Sequence, residues 1–489
     1  MKLTVIGGGP GGYTAAFEAA EKGCDVTLVE RQELGGTCLN RGCIPTKTLR
    51  ASADAISLAR RLAEYGIKAQ GAEVDMAAVH ARKESVAAVL RGGLAKTCQA
   101  LKIDVLCGTA EVKSAKEVLV RANDGAETVV KGDAVIIATG SRVLEIPGLG
   151  IDHKHVLSSD DALELTNLPR RLCIVGGGVI GCEMACIFRA FGSEVTVVEG
   201  QDRLLPMPSV DRDVSALVAR EMRRQKIKFM TGKTLKNIRV EDGRVRAEAG
   251  PSPCAGEGAP AAETPVEADL VFVTIGRRPS TEGLGLEAAG IKTDARGWIE
   301  VDETLQTSVA GVYAVGDVLG PKHVMLAHVA EHEALCAVRN ILGTPGAMDY
   351  SVIPSAIFTS PEIGEVGMSE DQAREAGFDV AAGTLQMRVL GKAQAMGELP
   401  GFFKVVCDKA TGRLLGLHAA GAHASDLVAE GALALAKGAT VQELASVIHA
   451  HPTLAEGVWE ACRLAESARA QDEIPQHPIP QEERHEICR

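Results

Sequence analysis

The sequence predicts an α/β protein in which two βαβ domains are followed by a smaller α+β domain. Two observations predict the βαβ domains: a glycine-rich turn joins a strand to a helix twice, and in both copies the next strand ends in glutamate. A third predicts the α+β domain, because beyond residue 350 apolar, strand-like runs alternate and helices follow. The length of 489 residues suits about two to four domains.

The two glycine-rich turns, residues 7–12 (GGGPGG) and 176–181 (GGGVIG), predict phosphate binding. In such turns the first glycine permits the tight turn, the second lets the backbone approach a pyrophosphate, and the third lets the helix pack on the strand. Glu30 and Glu199 end the following strands, where a carboxylate accepts from a ribose 2′-OH and repels a 2′-phosphate. The sequence therefore predicts two dinucleotide-binding, Rossmann-like domains.

The remaining elements follow the same pattern. Residues 135–140 and 270–276 are buried-type strands that end in glycine, and residues 312–317 form a further strand that ends in an acid. The predicted elements of the third domain are strands over 402–407 and 414–418 and helices over 425–437 and 441–447, the last with a capping box from Thr440 to Glu443. Residues 250–265 predict a surface loop, and residues 471–489 an extended or mobile tail.

Composition and charge exclude several classes. The chain is 46% hydrophobic and 24% charged, and Lys+Arg total 52 against Asp+Glu 64, a net charge of -12. An acidic chain argues against non-specific nucleic-acid binding, and no apolar run reaches the ~18 residues of a membrane span. Most of the 13 cysteines are expected to be reduced thiols. With a strand that follows Met1 directly and no leader segment, we expect a cytoplasmic protein.

Cys38 and Cys43 are close enough in sequence to form a disulfide ahead of Pro45. Metal binding would need a second thiol or histidine cluster, and none has suitable spacing, so no metal site is predicted. A structural pair and a redox-active pair both remain open at this point, because a helix N-terminus lowers the pKa of a thiol.

His451 and Glu456 lie together near the C-terminal end. A thiol–disulfide reaction needs a base with a pKa near 7, and a nearby carboxylate would orient the imidazole and raise its basicity. The alternative, a surface or packing histidine, applies to both His449 and His451.

These motifs, with residues 138–140 (ATG), 275–279 (IGRRP) and 315–317 (VGD), resemble the dihydrolipoamide dehydrogenases, within the class I pyridine nucleotide-disulfide oxidoreductases. The resemblance runs from about residue 2 to residue 470. It implies FAD in a first domain (1–150 and 279–349), NAD in a second domain inserted in the first (151–278), a C-terminal dimerisation domain (350–470) and a flexible tail (471–489).

The resemblance also implies the site residues. Cys38 would meet the substrate and Cys43 would lie beside the flavin, with Lys47 and Glu183 near flavin N5 and the nicotinamide. Asp317 would bind the ribityl chain. The catalytic set implied is Cys38, Cys43, Lys47, Glu183, His451 and Glu456. The cofactor-binding set implied is Gly7, Gly9, Gly12, Glu30, Lys47, Thr139, Gly140, Gly176, Gly178, Gly181, Glu199, Gly276, Asp317, Ala327 and His328.

The activity implied is the reoxidation of protein-bound dihydrolipoamide by NAD+ through a redox-active disulfide, in a 2-oxo acid dehydrogenase or glycine cleavage complex. The partners implied are a lipoyl domain, the subunit-binding domain of the acyltransferase, and a second copy of the chain that supplies His451. The alternatives are a related disulfide reductase acting on glutathione or mercuric ion, a transhydrogenase, and a non-catalytic FAD-binding partner protein. Arg41 in the cysteine segment and Cys488 in the tail depart from the pattern; Arg41 is a candidate to tune the charge near Cys43.

Overall fold

The computed structural model describes residues 1–255 and 262–471. Contacts divide this part of the chain into two compact units, Met1–Pro206 with Met222–Tyr350, and Met207–Glu221 with residues 351–471. In these residues no helix is both long and apolar enough to cross a membrane. The predicted tail beyond residue 471, with Cys488, lies outside the described residues.

The strands before residue 350 belong to the first unit. They are β1 (Lys2–Ile6), β2 (Asp25–Glu30), β3 (Asp104–Ser114), β4 (Glu117–Ala122), β5 (Glu127–Lys131), β6 (Ala134–Ile137), β7 (Ser141–Val143), β8 (Val156–Ser158), β9 (Arg171–Val175), β10 (Glu194–Val198), β11 (Lys228–Met230), β12 (Lys233–Glu241), β13 (Arg244–Pro251), β14 (Thr264–Ala268), β15 (Leu270–Val273), β16 (Arg277–Pro279) and β17 (Val312–Ala314). The helices in the same part of the chain are α1 (Pro10–Glu21), α2 (Gly36–Arg41), α3 (Cys43–Arg60), α4 (Met76–Ala100), α5 (Ser159–Ala162), α6 (Val179–Phe191), α7 (Arg212–Arg224) and α8 (Ala327–Ile341).

Each glycine-rich repeat builds its own parallel sheet. Among the described residues, the first sheet has the order β17-β6-β1-β2-β3-β4-β5, parallel as far as β3 and antiparallel beyond it. The second has the order β11-β10-β9-β15-β8 and is parallel throughout. Because β6 and β15 lie beside β1 and β9, residues 138–140 and 274–276 reach the same sheet edge as the glycine turns. The predicted α/β class is confirmed.

Two smaller sheets complete the first unit, and one of them corrects the loop predicted over residues 250–265. An antiparallel sheet has the order β12-β13-β14, and β16 pairs with β7. Gly250 and Pro251 end β13, while Thr264 and Pro265 begin β14. Both ends of the predicted loop belong to strands, because their residues pair with neighbouring strands of this sheet. Pro265 is tolerated in β14 because β14 lies at the edge of the sheet.

The second unit is an α+β arrangement, as predicted. It includes most of α7, and its elements after residue 350 are β18 (Ser355–Ile357), β19 (Ile363–Gly367), β20 (Val380–Gln386), β21 (Phe402–Asp408), β22 (Leu414–Ala420), α9 (Glu370–Glu375), α10 (Gly391–Met396), α11 (Ala424–Ala436), α12 (Val441–Ser446) and α13 (Glu456–Gln471). The antiparallel sheet has the order β18-β19-β22-β21-β20. Thr440 and Glu443 form the predicted capping box at the start of α12.

Candidate active site

The two glycine turns have nearly identical backbone geometry. Gly7 and Gly176 have φ of 104° and 105°, a conformation that favours glycine. A Cβ at Gly12 would lie 1.7 Å from the Gly7 carbonyl oxygen, and one at Gly181 would lie 1.8 Å from that of Gly176. The first and third glycines of each repeat are therefore required by the turn itself.

The middle glycine of each turn leaves space at a helix N-terminus. Gly9 caps α1 and Gly178 caps α6, and neither helix start has a side-chain cap. A Cβ at Gly178 would meet no described atom within 4 Å, and one at Gly9 would meet only the Gly36 Cα, at 3.6 Å. Open space beside uncapped N–H groups is what a diphosphate needs, so both turns fit a dinucleotide.

The two strand-end acids are held against these turns. Glu30 accepts hydrogen bonds from the backbone N–H groups of Gly8 (2.7 Å) and Gln32 (2.8 Å). Glu199 accepts hydrogen bonds from the backbone N–H groups of Gly177 (2.5 Å) and Gln201 (2.7 Å). Each carboxylate is thereby fixed at the end of its strand, beside the predicted phosphate site.

Asp317 is oriented by two residues that the sequence did not single out as site residues. The Ser141 hydroxyl donates to Asp317 Oδ2 at 2.5 Å, and Arg277 Nε donates to the Ser141 hydroxyl at 2.6 Å. Arg277 could have been predicted as a site residue, because it directly follows Gly276, the last residue of the buried strand predicted over 270–276. Thr139 Oγ1 is buried, with no hydrogen-bond partner in the described part of the chain, which suits a group that bonds to a ligand. Ala327 and His328 begin α8.

The two cysteines lie at a break between helices. Cys38 is in α2, and Cys43 is the first residue of the 18-residue helix α3. All cysteines in the described residues are free thiols, and the Cys38 thiol donates a hydrogen bond to the Cys43 sulfur. Lys47, one turn further along α3, reaches both carboxylate oxygens of Glu183 on α6 at 3.0 Å. The structure thus brings together all four predicted catalytic residues of the first unit; the disulfide itself stays a prediction.

This arrangement makes the two sulfurs electrostatically unequal. The hydrogen bond from Cys38 outweighs burial and, with the charge of Lys47, lowers the pKa of Cys43 to about 7. The same hydrogen bond, burial and the charges of Cys43 and Glu331 raise the pKa of Cys38. Arg41 is not among the main influences on Cys43. Of the two sulfurs, Cys43 is therefore the one that ionises more readily.

The second unit holds the histidines. His451 Nδ1 lies 2.8 Å from Glu456 Oε1, and Glu456 Oε2 accepts from the Thr453 N–H at 2.8 Å. These hydrogen bonds, the one from Thr453 first, lower the pKa of Glu456. The His451 side chain is 76% exposed, whereas that of His449 is 8% exposed and bonded to Glu430. Geometry favours His451 over His449 as the base.

A group of possible metal ligands, His80, Glu84 and Glu164, lies outside this region. The buried ammonium of Lys83 contacts Glu84 at 2.9 Å and Glu164 at 2.7 Å. The Lys83 ammonium already contacts both carboxylates, and we assign no metal to the group.

Comparison with known proteins identifies the family. The model of the pyridine nucleotide-disulphide oxidoreductases matches residues 1–334, and that of their dimerisation domain matches residues 353–462. The chain belongs to this family. The predictions of an oxidoreductase with the cofactors FAD and NAD are thereby confirmed.

Family members of known name and structure are similar over nearly the whole chain. A dihydrolipoyl dehydrogenase of Haloferax volcanii is 42% identical over 95% of this chain and 96% of its own. A mitochondrial dihydrolipoyl dehydrogenase of Pisum sativum is 38% identical over 94% of this chain and 90% of its own. Among solved structures, LpdA from Mycobacterium tuberculosis matches with a TM-score of 0.86 and 27% identity, covering 95% of this chain and 99% of that one. The HOCl-induced flavoprotein disulfide reductase RclA from Escherichia coli matches with 0.83 and 28%, covering 95% and 100%.

Proposed function

We propose that this chain is a dihydrolipoyl dehydrogenase, which reoxidises protein-bound dihydrolipoamide and passes the electrons to NAD+. The observation that carries the proposal is the Cys38–Cys43 pair beside the Lys47–Glu183 ion pair. The near full-length similarity to proteins named dihydrolipoyl dehydrogenase supports the choice of substrate.

The proposed thiol chemistry has three steps and uses Cys38, Cys43 and His451. With Cys38 and Cys43 oxidised, His451 removes a proton from one substrate thiol, and the resulting thiolate attacks the Cys38 sulfur. The bond between the two cysteines breaks and Cys43 leaves as a thiolate, which suits its lowered pKa. The second substrate thiol then passes its proton to Cys38 as its sulfur displaces Cys38 from the mixed disulfide. The substrate becomes a cyclic disulfide, Cys38 is left as a thiol and Cys43 as a thiolate, and the first proton leaves from His451 to solvent.

Other residues of the site would hold the two cofactors. When bound, FAD and NAD supply the electron-pair acceptor chemistry that side chains lack. We assign residues 1–150 and 279–349 to the FAD domain and residues 151–278 to the NAD domain. Lys47 holds Glu183 and compensates negative charge next to Cys43. The two glycine turns and their acids would hold the diphosphates and riboses of the cofactors.

We further propose a homodimer built through residues 350–470, in which His451 of the partner subunit serves the Cys38–Cys43 pair. The match to a dimerisation domain supports this arrangement. The net charge of -12 also suits docking to a basic subunit-binding domain of an acyltransferase in a 2-oxo acid dehydrogenase or glycine cleavage complex.

The test is a substrate survey of the FAD-loaded protein. We expect oxidation of dihydrolipoamide with NAD+ and little with NADP+, and little turnover of glutathione disulfide or Hg(II). Cys38→Ser and Cys43→Ser should each lower lipoamide turnover by at least about a thousandfold, because no second thiol can complete the exchange.

Cys24→Ser is the matched control. Cys24 is half-buried just before β2, at the opposite end of that strand from Glu30, so lipoamide turnover should stay close to wild type. Preference for another disulfide or for Hg(II) over lipoamide would contradict the proposed substrate.

A further inference from the structure

A buried glutamate of α8 contacts the segment that carries Asp317. The Glu333 residue is only 1% exposed. Its Oε2 accepts a hydrogen bond from the backbone N–H of Gly316 at 2.6 Å, and Gly316 directly precedes Asp317. Gly316 also packs on the same face of α8, because a Cβ there would lie 3.2 Å from the Cβ of Ala330, one turn before Glu333. Glu333 therefore holds the backbone where the Asp317 segment begins.

The same carboxylate reaches the end of this segment through a tyrosine. Glu333 Oε1 accepts from the Tyr350 hydroxyl at 2.7 Å. The Tyr350 oxygen lies 3.1 Å from His323 Nδ1, and the two rings meet edge to face with their centroids 5.5 Å apart. His323 ends a short 3-10 helix that follows the one containing Asp317. One buried carboxylate thus holds the segment 316–323 on both sides of Asp317.

The Asp317 side chain has a separate hydrogen bond. The Ser141 hydroxyl donates to Asp317 Oδ2 at 2.5 Å, which orients the carboxylate. The backbone that carries it starts at Gly316, whose φ of 77° lies in the region that favours glycine, the residue with the greatest conformational freedom. A fixed acceptor at the Gly316 N–H restricts that freedom and so fixes the position from which the Asp317 side chain extends.

The contribution of Glu333 to this segment is its shape and its acceptor atoms. In the part of the chain that the structure describes, both of its hydrogen-bond donors, Gly316 and Tyr350, are uncharged. Burial and then the charge of Asp317 raise the pKa of Glu333 to about 7, against the effect of these two hydrogen bonds. Either protonation state offers an oxygen to the Gly316 N–H, since a protonated carboxyl can donate its hydrogen to the Tyr350 oxygen.

We propose that Glu333, supported by Tyr350, is a positioning residue for FAD, which holds the segment 316–323 so that Asp317 meets the ribityl chain. The proposal rests on the proposed function only in taking Asp317 as a ligand of that chain. Its consequence is that Glu333 slows the release of FAD, and that this effect disappears when the Asp317 carboxylate is removed.

The experiment measures the rate at which the holoenzyme releases FAD, from the flavin absorbance that stays with the protein after rapid gel filtration at successive times. Glu333→Leu should release FAD at least about tenfold faster than wild type, because the Gly316 N–H and the Tyr350 hydroxyl lose their acceptor. Glu333→Gln keeps an acceptor oxygen and should stay within about threefold of wild type. Tyr350→Phe removes only the support and should release FAD about threefold faster.

A double-mutant cycle separates this role from a general loss of stability. Asp317→Ala should by itself release FAD faster than wild type. In the Asp317→Ala background, Glu333→Leu should add less than about threefold, since the group that it positions is gone. Arg339→Leu changes an exposed residue of the same helix and should leave the release rate unchanged in both backgrounds.

Equal acceleration by Glu333→Leu in both backgrounds would overturn the proposal, and so would release of FAD from Asp317→Ala at the wild-type rate. If Glu333→Leu does not fold, Tyr350→Phe takes its place in the cycle, with faster release expected only where Asp317 is present. The measurements need neither lipoamide nor NAD+, so failure of the proposed substrate and failure of this role are separate results.

Discussion

Single residues decide the ionisation state of the candidate site. Lys47 reaches Glu183 at 3.0 Å, and the Glu183 side chain is only 4% exposed. The two charges act in opposite directions on Cys43, with Lys47 lowering its pKa and Glu183 raising it. The ion pair therefore adjusts the pKa of Cys43, after the larger effects of the Cys38 hydrogen bond and of burial.

Two substitutions in this pair should move Cys43 in opposite directions. Lys47→Gln should raise the pKa of Cys43 from about 7, and Glu183→Gln should lower it, each by roughly one unit. The readout is the pH titration of the long-wavelength absorbance that a thiolate gives beside flavin. Lys47→Gln should also lower the free energy of unfolding by about 2 kcal/mol, because it leaves Glu183 buried without its cation. If the pKa of Cys43 moved in the same direction in both variants, the opposite effects assigned to Lys47 and Glu183 would be contradicted.

Among the elements, the sheet of the second unit contains a buried row of charge. Glu365 on β19, His418 on β22 and Lys404 on β21 face one another in register. His418 lies 3.1 Å from Glu365 Oε1 and 3.0 Å from the Met368 carbonyl oxygen. An ionised Glu365 and the carbonyl both accept, so this arrangement favours a ring with a proton on each nitrogen.

The same row binds the segment Met207–Glu221. Asp211 in this segment lies 3.1 Å from Lys404 Nζ, and its backbone N–H donates to Glu365 at 3.1 Å. Lys404 also contacts Asp213 and Glu370, both at 2.7 Å. These contacts explain why a segment from within the predicted second domain clusters with the C-terminal sheet.

His418 should make stability depend on pH. Burial alone would lower its pKa, but Glu365 and Asp211 outweigh burial and raise it. A raised pKa stabilises the fold below the ordinary value of about 6.5, and that contribution is lost as pH rises through the raised value. We expect wild type to melt about 2–4 °C above His418→Gln at pH 6. The gap should shrink toward pH 9, with protein and FAD concentrations held constant.

His423→Gln is the matched control, since His423 is an exposed histidine of the same unit. It should show no comparable pH-dependent gap. A gap between wild type and His418→Gln that widens with rising pH would mean that His418 is neutral in the folded protein.

At the scale of the whole molecule, the question is whether a single chain has a complete active site or needs a partner subunit. If His451 of the partner subunit serves the thiol pair, Cys38→Ser and His451→Gln should each be inactive as homodimers. A heterodimer of the two has one intact site, so random mixing of equal amounts should restore roughly a quarter of wild-type turnover. Mixtures that stay inactive, although mixed dimers form by native mass spectrometry, would show that His451 serves its own chain.

Features that depend on neighbouring residues were predicted correctly from the sequence. The glycine turns, Glu30 and Glu199 lie within two short repeats, and their strand–helix–strand context is encoded by neighbouring residues. The capping box of Thr440 was equally local. The ends of the predicted loop at Gly250 and Pro265 were wrong, because strand pairing rather than composition decides them.

What the sequence by itself determined is the fold class, the two glycine-rich turns and the family, since each depends on residues close together in the chain. The tertiary structure decided the partners: Lys47 with Glu183, Ser141 with Asp317, and Tyr13 with Glu331 are 136, 176 and 318 residues apart. The physical reason is that a charge or hydrogen bond acts over a few ångströms of space. The packing of α3 on α6 and of α1 on α8 brings the first and third pairs within reach, and the end of β17 brings Asp317 to Ser141 on β7.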